Sequence, residues 1–441
     1  MVTANTTVTL CPADCAIASR CMVHYYFYNA TGQQGFMDFD TLRTALYQTL
    51  RVSQPIGLAT GMRMTSLQYG GITAEMSPEP KLPSATMHHN HTHTVAAMLA
   101  ADFSPESQPP EMTSLSLTIN PLEGDALVAM DYVQMVDGVG LAFSFSHAVF
   151  DMGACARLCE EWSRVARAMF SDGSTAYTPQ ELNVDRKWFW DELTKLPAPG
   201  PSDFDKHLDE LVETASSTPE KDTALPNNLY RIGISVEQFQ ELGAIRNRIC
   251  PGVSVPNFIS AAIWHSICQT NPSTSPYTYF AASLTVRSDK RFAEYWGNTA
   301  TMKYISQDRS KLTAAPIETT ARAVQQCVTD FTPADFVHII DQYTVDDSYI
   351  KKLRRFVEND AVPWLMVTNM SRHPYYNVDF GFGPPAKVLW PPTPLPSFAV
   401  IFPKEARGGI DIYLCVPEST MEEISTKSII KDHIAVMLYN K

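Results

Sequence analysis

Two side chains that can move protons, His147 and Asp151, stand four residues apart in the segment Leu-Ala-Phe-Ser-Phe-Ser-His-Ala-Val-Phe-Asp-Met-Gly spanning residues 141–153. An imidazole delivered at the end of a strand can lift a proton from a hydroxyl or an amine, which is what acyl transfer asks of a general base. Asp151 could orient that ring as the third member of a triad. A histidine that only fills a strand-to-helix turn has the same local pattern, so the pair alone leaves a structural reading open.

The flanking residues predict how the pair is held. Asp137-Gly138 is a turn signal. Val139, Leu141, Phe143 and Phe145 then alternate with smaller residues, the period of a strand. Ala154, Leu158, Val165, Ala166 and Met169 recur at helical spacing, so a helix is expected over about 153–170. Cys155 and Cys159 fall one turn apart on it and read as core packing.

Further strands are expected near 23–28, 115–119, 126–133, 229–234, 279–287, 299–305, 364–369, 398–402 and 409–416, and helices near 39–50, 318–331, 347–358 and 419–438. Ser235 followed by Gln238 is a capping box opening a helix with the stripe Phe239, Leu242, Ile245 and Ile249. Ser254 opens another, carrying Phe258, Ala261, Ala262, Trp264 and Ile267; Trp264 and His265 read as packing residues on it. Strands and helices mix throughout, so the class is α/β or α+β.

A chain of 441 residues is too long for one ordinary core. Residues 1–195 form one expected domain and residues 229–441 a second, joined by a Pro- and Ser-rich crossover over 196–228. The Pro-rich stretch 384–396 is expected to be an irregular loop. With 45% hydrophobic and 18% charged residues the chain is globular, and its net charge of −13 argues against nucleic acid or an anionic membrane as partner. The Met-Val-Thr-Ala-Asn start lacks a basic flank and an apolar core, and no uncharged run reaches membrane-spanning length. Nine scattered cysteines suit a reducing compartment, so a cytoplasmic protein is expected. The run His88-His-Asn-His91-Thr-His93 has no Cys or acidic residue at ligand spacing beside it, and no metal site is expected there.

Several segments together resemble the BAHD acyl-CoA-dependent acyltransferases, most closely the fungal members like trichothecene 3-O-acetyltransferases. His147-Ala-Val-Phe-Asp151 matches the family's His-x-x-x-Asp motif. Asp379-Phe-Gly-Phe-Gly383 matches its Asp-Phe-Gly-Trp-Gly motif, with Phe382 in place of Trp. Phe258–Ile267, Tyr295-Trp-Gly-Asn298 with Arg287 upstream, and Gly409–Pro417 resemble three further family blocks, in the same order.

The resemblance implies two chloramphenicol-acetyltransferase-like domains with a channel between them, the histidine being reachable from both faces. It implies acyl-CoA as co-substrate, acetyl-CoA by default, a small secondary metabolite as acceptor, and a monomer. It implies that Asp151 turns from the histidine to pair with Arg287, and that Asp379, Gly381 and Gly383 form a structural turn. Relatives that carry Thr-Ser-Trp have a proposed oxyanion donor where this chain has Thr368-Asn369-Met370; Met cannot donate, which leaves Thr368 and Asn369 as candidates. For the phosphates of CoA the candidates are Ser254, at a helix start, with Lys290 and Arg291 as further cations. The alternatives are an enzyme of the same fold that takes its acyl group from a carrier protein, and one that cyclises or eliminates on a metabolite. Carrier-dependent enzymes usually show a second histidine directly before the motif, where this chain has Ser146.

Overall fold

The computed structural model describes residues 7–9, 21–30, 32–52, 62–64, 73–76, 84–113, 127–147, 149–172, 183, 185–197, 227–345, 362–391 and 395–439. The chain divides into two units. The first comprises residues 1–195 with two excursions from later in the chain, 287–299 and 373–391; the second comprises 196–286, 300–372 and 392–441.

In the first unit a five-stranded sheet runs in the order Lys387–Leu389, Cys21–Asn29, Gly138–Ser146, Val128–Gln134, Ser84–His89. Its middle strand, Gly138–Ser146, is buried at every position. Both faces must therefore be covered, and the composition shows how. Leu141, Phe143 and Phe145 project to one side, where Phe143 packs on Trp162 of the helix Met152–Asp172 with ring centroids 4.6 Å apart. Small residues occupy the other side: Gly140 lies so close to Met112 that a methyl group there would sit 3.0 Å from its sulfur. Trp162 also donates its indole N–H to the Leu42 carbonyl at 2.9 Å, tying that helix to Phe39–Val52.

The second unit holds a seven-stranded sheet in the order Ala300–Asp308, Tyr277–Thr285, Trp364–Asn369, Phe398–Glu405, Gly408–Pro417, Asn227–Ile234, Ala435–Leu438. Trp364–Asn369 runs parallel to both neighbours, and the other pairings are antiparallel. Helix Val255–Thr270 is buried at thirteen of its sixteen positions, as an apolar helix without a polar face must be. The Ser235–Gln238 capping box is present in both directions.

Four expectations change. The helix expected over 419–438 stops at Thr426, and Ala435–Leu438 is instead a strand paired with Asn227–Ile234. That pairing satisfies backbone groups that an edge strand would leave open. The strand expected to 287 ends at Thr285, and Val286–Ser288 is a 3-10 turn. Lys387–Leu389, inside the stretch expected to be irregular, forms a strand against Tyr25–Phe27. The Asp-Phe-Gly-Phe-Gly turn, assigned from sequence to the second domain, packs in the first unit because that short strand draws its segment there. Helices Arg186–Leu193 and Pro333–Val345 were not foreseen. The strand expected at 115–119, the helix at 347–358 and most of the 196–228 crossover lie outside the described residues. No described helix is long and apolar enough to cross a membrane.

Candidate active site

Strand Gly138–Ser146 ends one residue before His147, and helix Met152–Asp172 starts one residue after Asp151. The motif is therefore a short loop between two rigid elements. Its start is fixed by the Ser146 N–H donating to the Leu127 carbonyl at 2.9 Å. The His147 carbonyl accepts from Asn298 Nδ2 at 3.2 Å. The ring's Nδ1 is buried, while the residue keeps partial exposure.

Asp151 turns to Arg287. Both carboxylate oxygens lie 2.6 Å from Arg287 Nη1. Oδ1 also accepts from the Ala154 N–H at 2.9 Å, so the side chain caps the helix that follows. Oδ2 accepts from the Thr299 N–H at 2.8 Å and its hydroxyl at 2.7 Å. Burial alone would push the Asp151 carboxyl up, but the Arg287 charge, aided by the Arg287, Ala154 and Thr299 hydrogen bonds, holds it at about 2. A carboxylate this saturated stays ionised at any working pH and has no use as a proton carrier. Arg287 is equally committed: Nε donates to the Tyr295 carbonyl at 2.9 Å and Nη2 to the Gly297 carbonyl at 2.6 Å.

Residues 287–299 therefore form a strap over the motif loop. Arg287 and Thr299 hold Asp151, and Asn298, fully buried, holds the carbonyl of His147. Tyr295 anchors the strap by stacking on Phe189, with ring centroids 4.1 Å apart. Asn298 and Thr299 carry no signal by residue type alone; Asn298 closes the Tyr-Trp-Gly-Asn block and Thr299 directly follows it.

Asp379 Oδ1 accepts from the N–H groups of Gly381 and Gly383 at 2.8 and 2.9 Å, closing a tight turn. Its carbonyl accepts from Arg167 Nε and Nη2 at 3.1 and 2.6 Å. Arg167 lies far along the Met152–Asp172 helix, about 22 Å from its start at 1.5 Å per residue. The turn thus belongs to the other end of the helix from the proposed chemistry. Phe380 packs on Trp162 with centroids 4.5 Å apart, and Phe382 sits between Phe36 and Phe170. Both glycines have φ of +102°, a region closed to other residues. Gly383→Ala is expected to cost about 1–3 kcal/mol, read as a lower urea midpoint, with kcat unchanged at temperatures where the variant is folded.

Three other candidates belong to the second unit. Thr368 and Asn369 end strand Trp364–Asn369, and Asn369 Oδ1 accepts from the N–H and hydroxyl of Ser371 at 3.1 and 2.7 Å. Met370 is buried. Ser254 caps helix Val255–Thr270 through Asn257, and its own N–H donates to Gln325 Oε1 at 2.8 Å. Arg291 is paired with Asp289 at 2.7 Å, and Lys290 is exposed. His89 and His91 stack on one another, and His93 is held by Asn90. Among the described residues no group of three His, Cys, Asp or Glu side chains could hold a metal ion. Burial pushes the thiols of Cys155 and Cys159 up, Cys159 to about 12, so neither serves as a nucleophile near neutral pH.

A family model described as the Transferase family matches residues 102–429. No curated protein matches the chain by sequence. Among solved structures, TRI101 of F. sporotrichioides, complexed with coenzyme A and T-2, is similar with a TM-score of 0.74 at 16% identity, over 98% of this chain and 99% of that one. Vinorine synthase is similar with a TM-score of 0.64 at 15% identity, over 96% and 92%. The EpoB NRPS cyclization-docking bidomain from Sorangium cellulosum reaches 0.58 at 12% identity, over 95% and 83%. At such identities the likeness is one of fold.

Proposed function

The chain belongs to the Transferase family, the BAHD acyltransferases, and from that premise we propose that it moves an acyl group, by default acetyl, from CoA to a hydroxyl of a small secondary metabolite. The observation that carries the mechanism is the commitment of Asp151 to Arg287 and Thr299. With the carboxylate engaged, the imidazole of His147 remains as the motif's proton acceptor. Because Nδ1 is buried, we assign the proton transfer to the other ring nitrogen, Nε2. Nε2 takes the acceptor's hydroxyl proton as the oxygen attacks the thioester carbon. The tetrahedral intermediate collapses with cleavage of the C–S bond, and the proton passes to the departing CoA sulfur. An ester and free CoA result, without a covalent enzyme intermediate. TRI101 complexed with coenzyme A and T-2, a neighbour of the same fold, supports this choice of donor and acceptor class.

For the oxyanion, Thr368 or Asn369 is the donor we favour. For the CoA phosphates we favour the N-terminus of helix Val255–Thr270, capped by Ser254, where backbone N–H groups and the helix dipole attract an anion. We place the enzyme in the cytoplasm as a monomer. The cytoplasmic assignment is supported by the free, buried state of Cys155, Cys159, Cys250, Cys268, Cys327 and Cys415.

The test offers acetyl-CoA, longer acyl-CoAs and an acyl-loaded phosphopantetheinyl carrier protein separately, each with an extract of metabolites, and follows products by mass. Acylated product from a CoA thioester but not from the carrier is expected. Turnover with the carrier alone would favour the carrier-dependent alternative, and a product lacking the acyl mass would favour cyclisation or elimination.

A further inference from the structure

We propose that His373 is a positioning residue for His147: lodged against the Asp151–Arg287 pair, it forms the back wall of the motif loop, where a further cation would displace that loop. The inference rests on the assignment of His147 as the base. Its geometric ground is Gly153, the second residue of the helix. A methyl group there would lie 3.1 Å from Arg287 Nη1, 3.4 Å from Asp151 Oδ1 and 3.4 Å from His373 Cε1. The guanidinium, the carboxylate and the imidazole thus converge on the space that a missing side chain leaves open. The His373 carbonyl accepts from the Tyr375 N–H at 2.9 Å, and the two rings lie 5.9 Å apart, nearly perpendicular. Tyr375 in turn meets His24 at 4.9 Å.

The charge of His373 matters because every facing group is already placed. Asp151 faces it from the motif loop, Arg287 from the 3-10 turn, Arg157 from the helix and His24 from the sheet, with Tyr375 on its own segment. The oxygens of Asp151 are taken by Arg287, Ala154 and Thr299, and Arg157 is engaged with the Ala293 carbonyl at 2.8 Å. A proton on His373 would add a third cation beside one anion whose lone pairs are in use. Asp151 could answer it only by loosening Arg287 or Thr299, and the strap would shift with them. Burial holds His373 below its usual value; Asp151 opposes this, and Arg287 and Arg157 reinforce it. His24, deeper in the aromatic cluster of Tyr26, Phe145, Tyr375 and Trp390, is lowered by burial and by His373 to about 3. It stays neutral through the range in which His373 would titrate.

His373→Phe keeps a flat ring that can never be charged, and His373→Lys installs a cation. The Phe variant is expected to keep kcat within about threefold of wild type at about pH 7.5. Protonation of His147 gives log kcat an acid limb of slope about one. Wild type should fall more steeply as His373 also takes a proton, and the Phe variant should not. The Lys variant should lose about tenfold or more in kcat at about pH 7.5, with KM for the acyl-CoA unchanged, and recover as alkaline pH removes its proton. An acid limb of the Phe variant that superimposes on wild type, or full turnover by a folded Lys variant, overturns the inference. If the Lys variant does not fold, the acid limb decides. Melting temperature against pH is read in parallel on wild type and the Phe variant. His373 binds its proton more readily when unfolded, so wild type should lose stability as pH falls below about 6.5, and the Phe variant should lose less. That readout needs no substrate: a wild type that shows it without acyl transfer would sink the functional assignment and leave the charge requirement standing.

Discussion

Alanine at position 147 is expected to lower kcat by about 10²–10⁴-fold, the contribution of a positioned general base, with KM for the acyl-CoA and the melting temperature little changed. The fold should tolerate the loss because the backbone attachments at this residue are kept. The carbonyl held by Asn298 and the strand that ends at Ser146 are unaffected by removing a partly exposed ring. The measurement is steady-state kinetics beside a thermal melt, so that a dead but folded enzyme is told from an unfolded one. Full acyl transfer by the alanine variant would remove His147 from the mechanism.

Asp151 and Arg287 should behave in the opposite way. Either one changed to alanine leaves its buried partner without a counter-charge, an effect worth about 3–5 kcal/mol against a total stability of about 5–15 kcal/mol. Urea unfolding should show that loss, and turnover should fall with the folded fraction and with disorder of the strap. Asp151→Asn separates this role from a triad: a fully stable variant with a kcat as low as that of His147→Ala would make Asp151 the orienting carboxylate. The pair also predicts a pH dependence. The Asp151 carboxyl, about 2 when folded against an ordinary 3.8, contributes stability that is present above pH 3.8 and lost as pH falls toward 2. That shift is worth about 2 kcal/mol at 1.36 kcal/mol per unit, and the Asp151→Asn variant should lack it.

What the chain disclosed before its structure was known was mostly local. The strand, loop and helix around His147 follow from residue periodicity over some thirty positions. The Ser235–Gln238 box closes within one turn, and the structure shows both of its hydrogen bonds, at 2.8 and 3.2 Å. The Arg287 pairing was not local, and only resemblance to a family suggested it. Other features could not be read because they depend on partners far away in sequence. Nothing around Ala435–Leu438 tells that an edge of Asn227–Ile234 awaits it, so a helix looked continuous there. Lys387–Leu389 becomes a strand only because Tyr25–Phe27 lies alongside. His373 and His24 carry no motif, and their significance arises when four segments fold onto Gly153 and Tyr375.

The strap sets a timetable for biogenesis. Arg287 lies 136 residues beyond Asp151 in the chain. At ribosomal speeds of 5–20 residues per second it emerges roughly 7–27 s later. Until then the carboxylate has no guanidinium, the His147 carbonyl lacks Asn298, and the Phe189 ring has no Tyr295 to stack on. Residues 1–195 made alone should therefore not mature into a working half. The nascent amino-terminal portion must wait, guarded from aggregation, for its closing pieces to leave the exit tunnel.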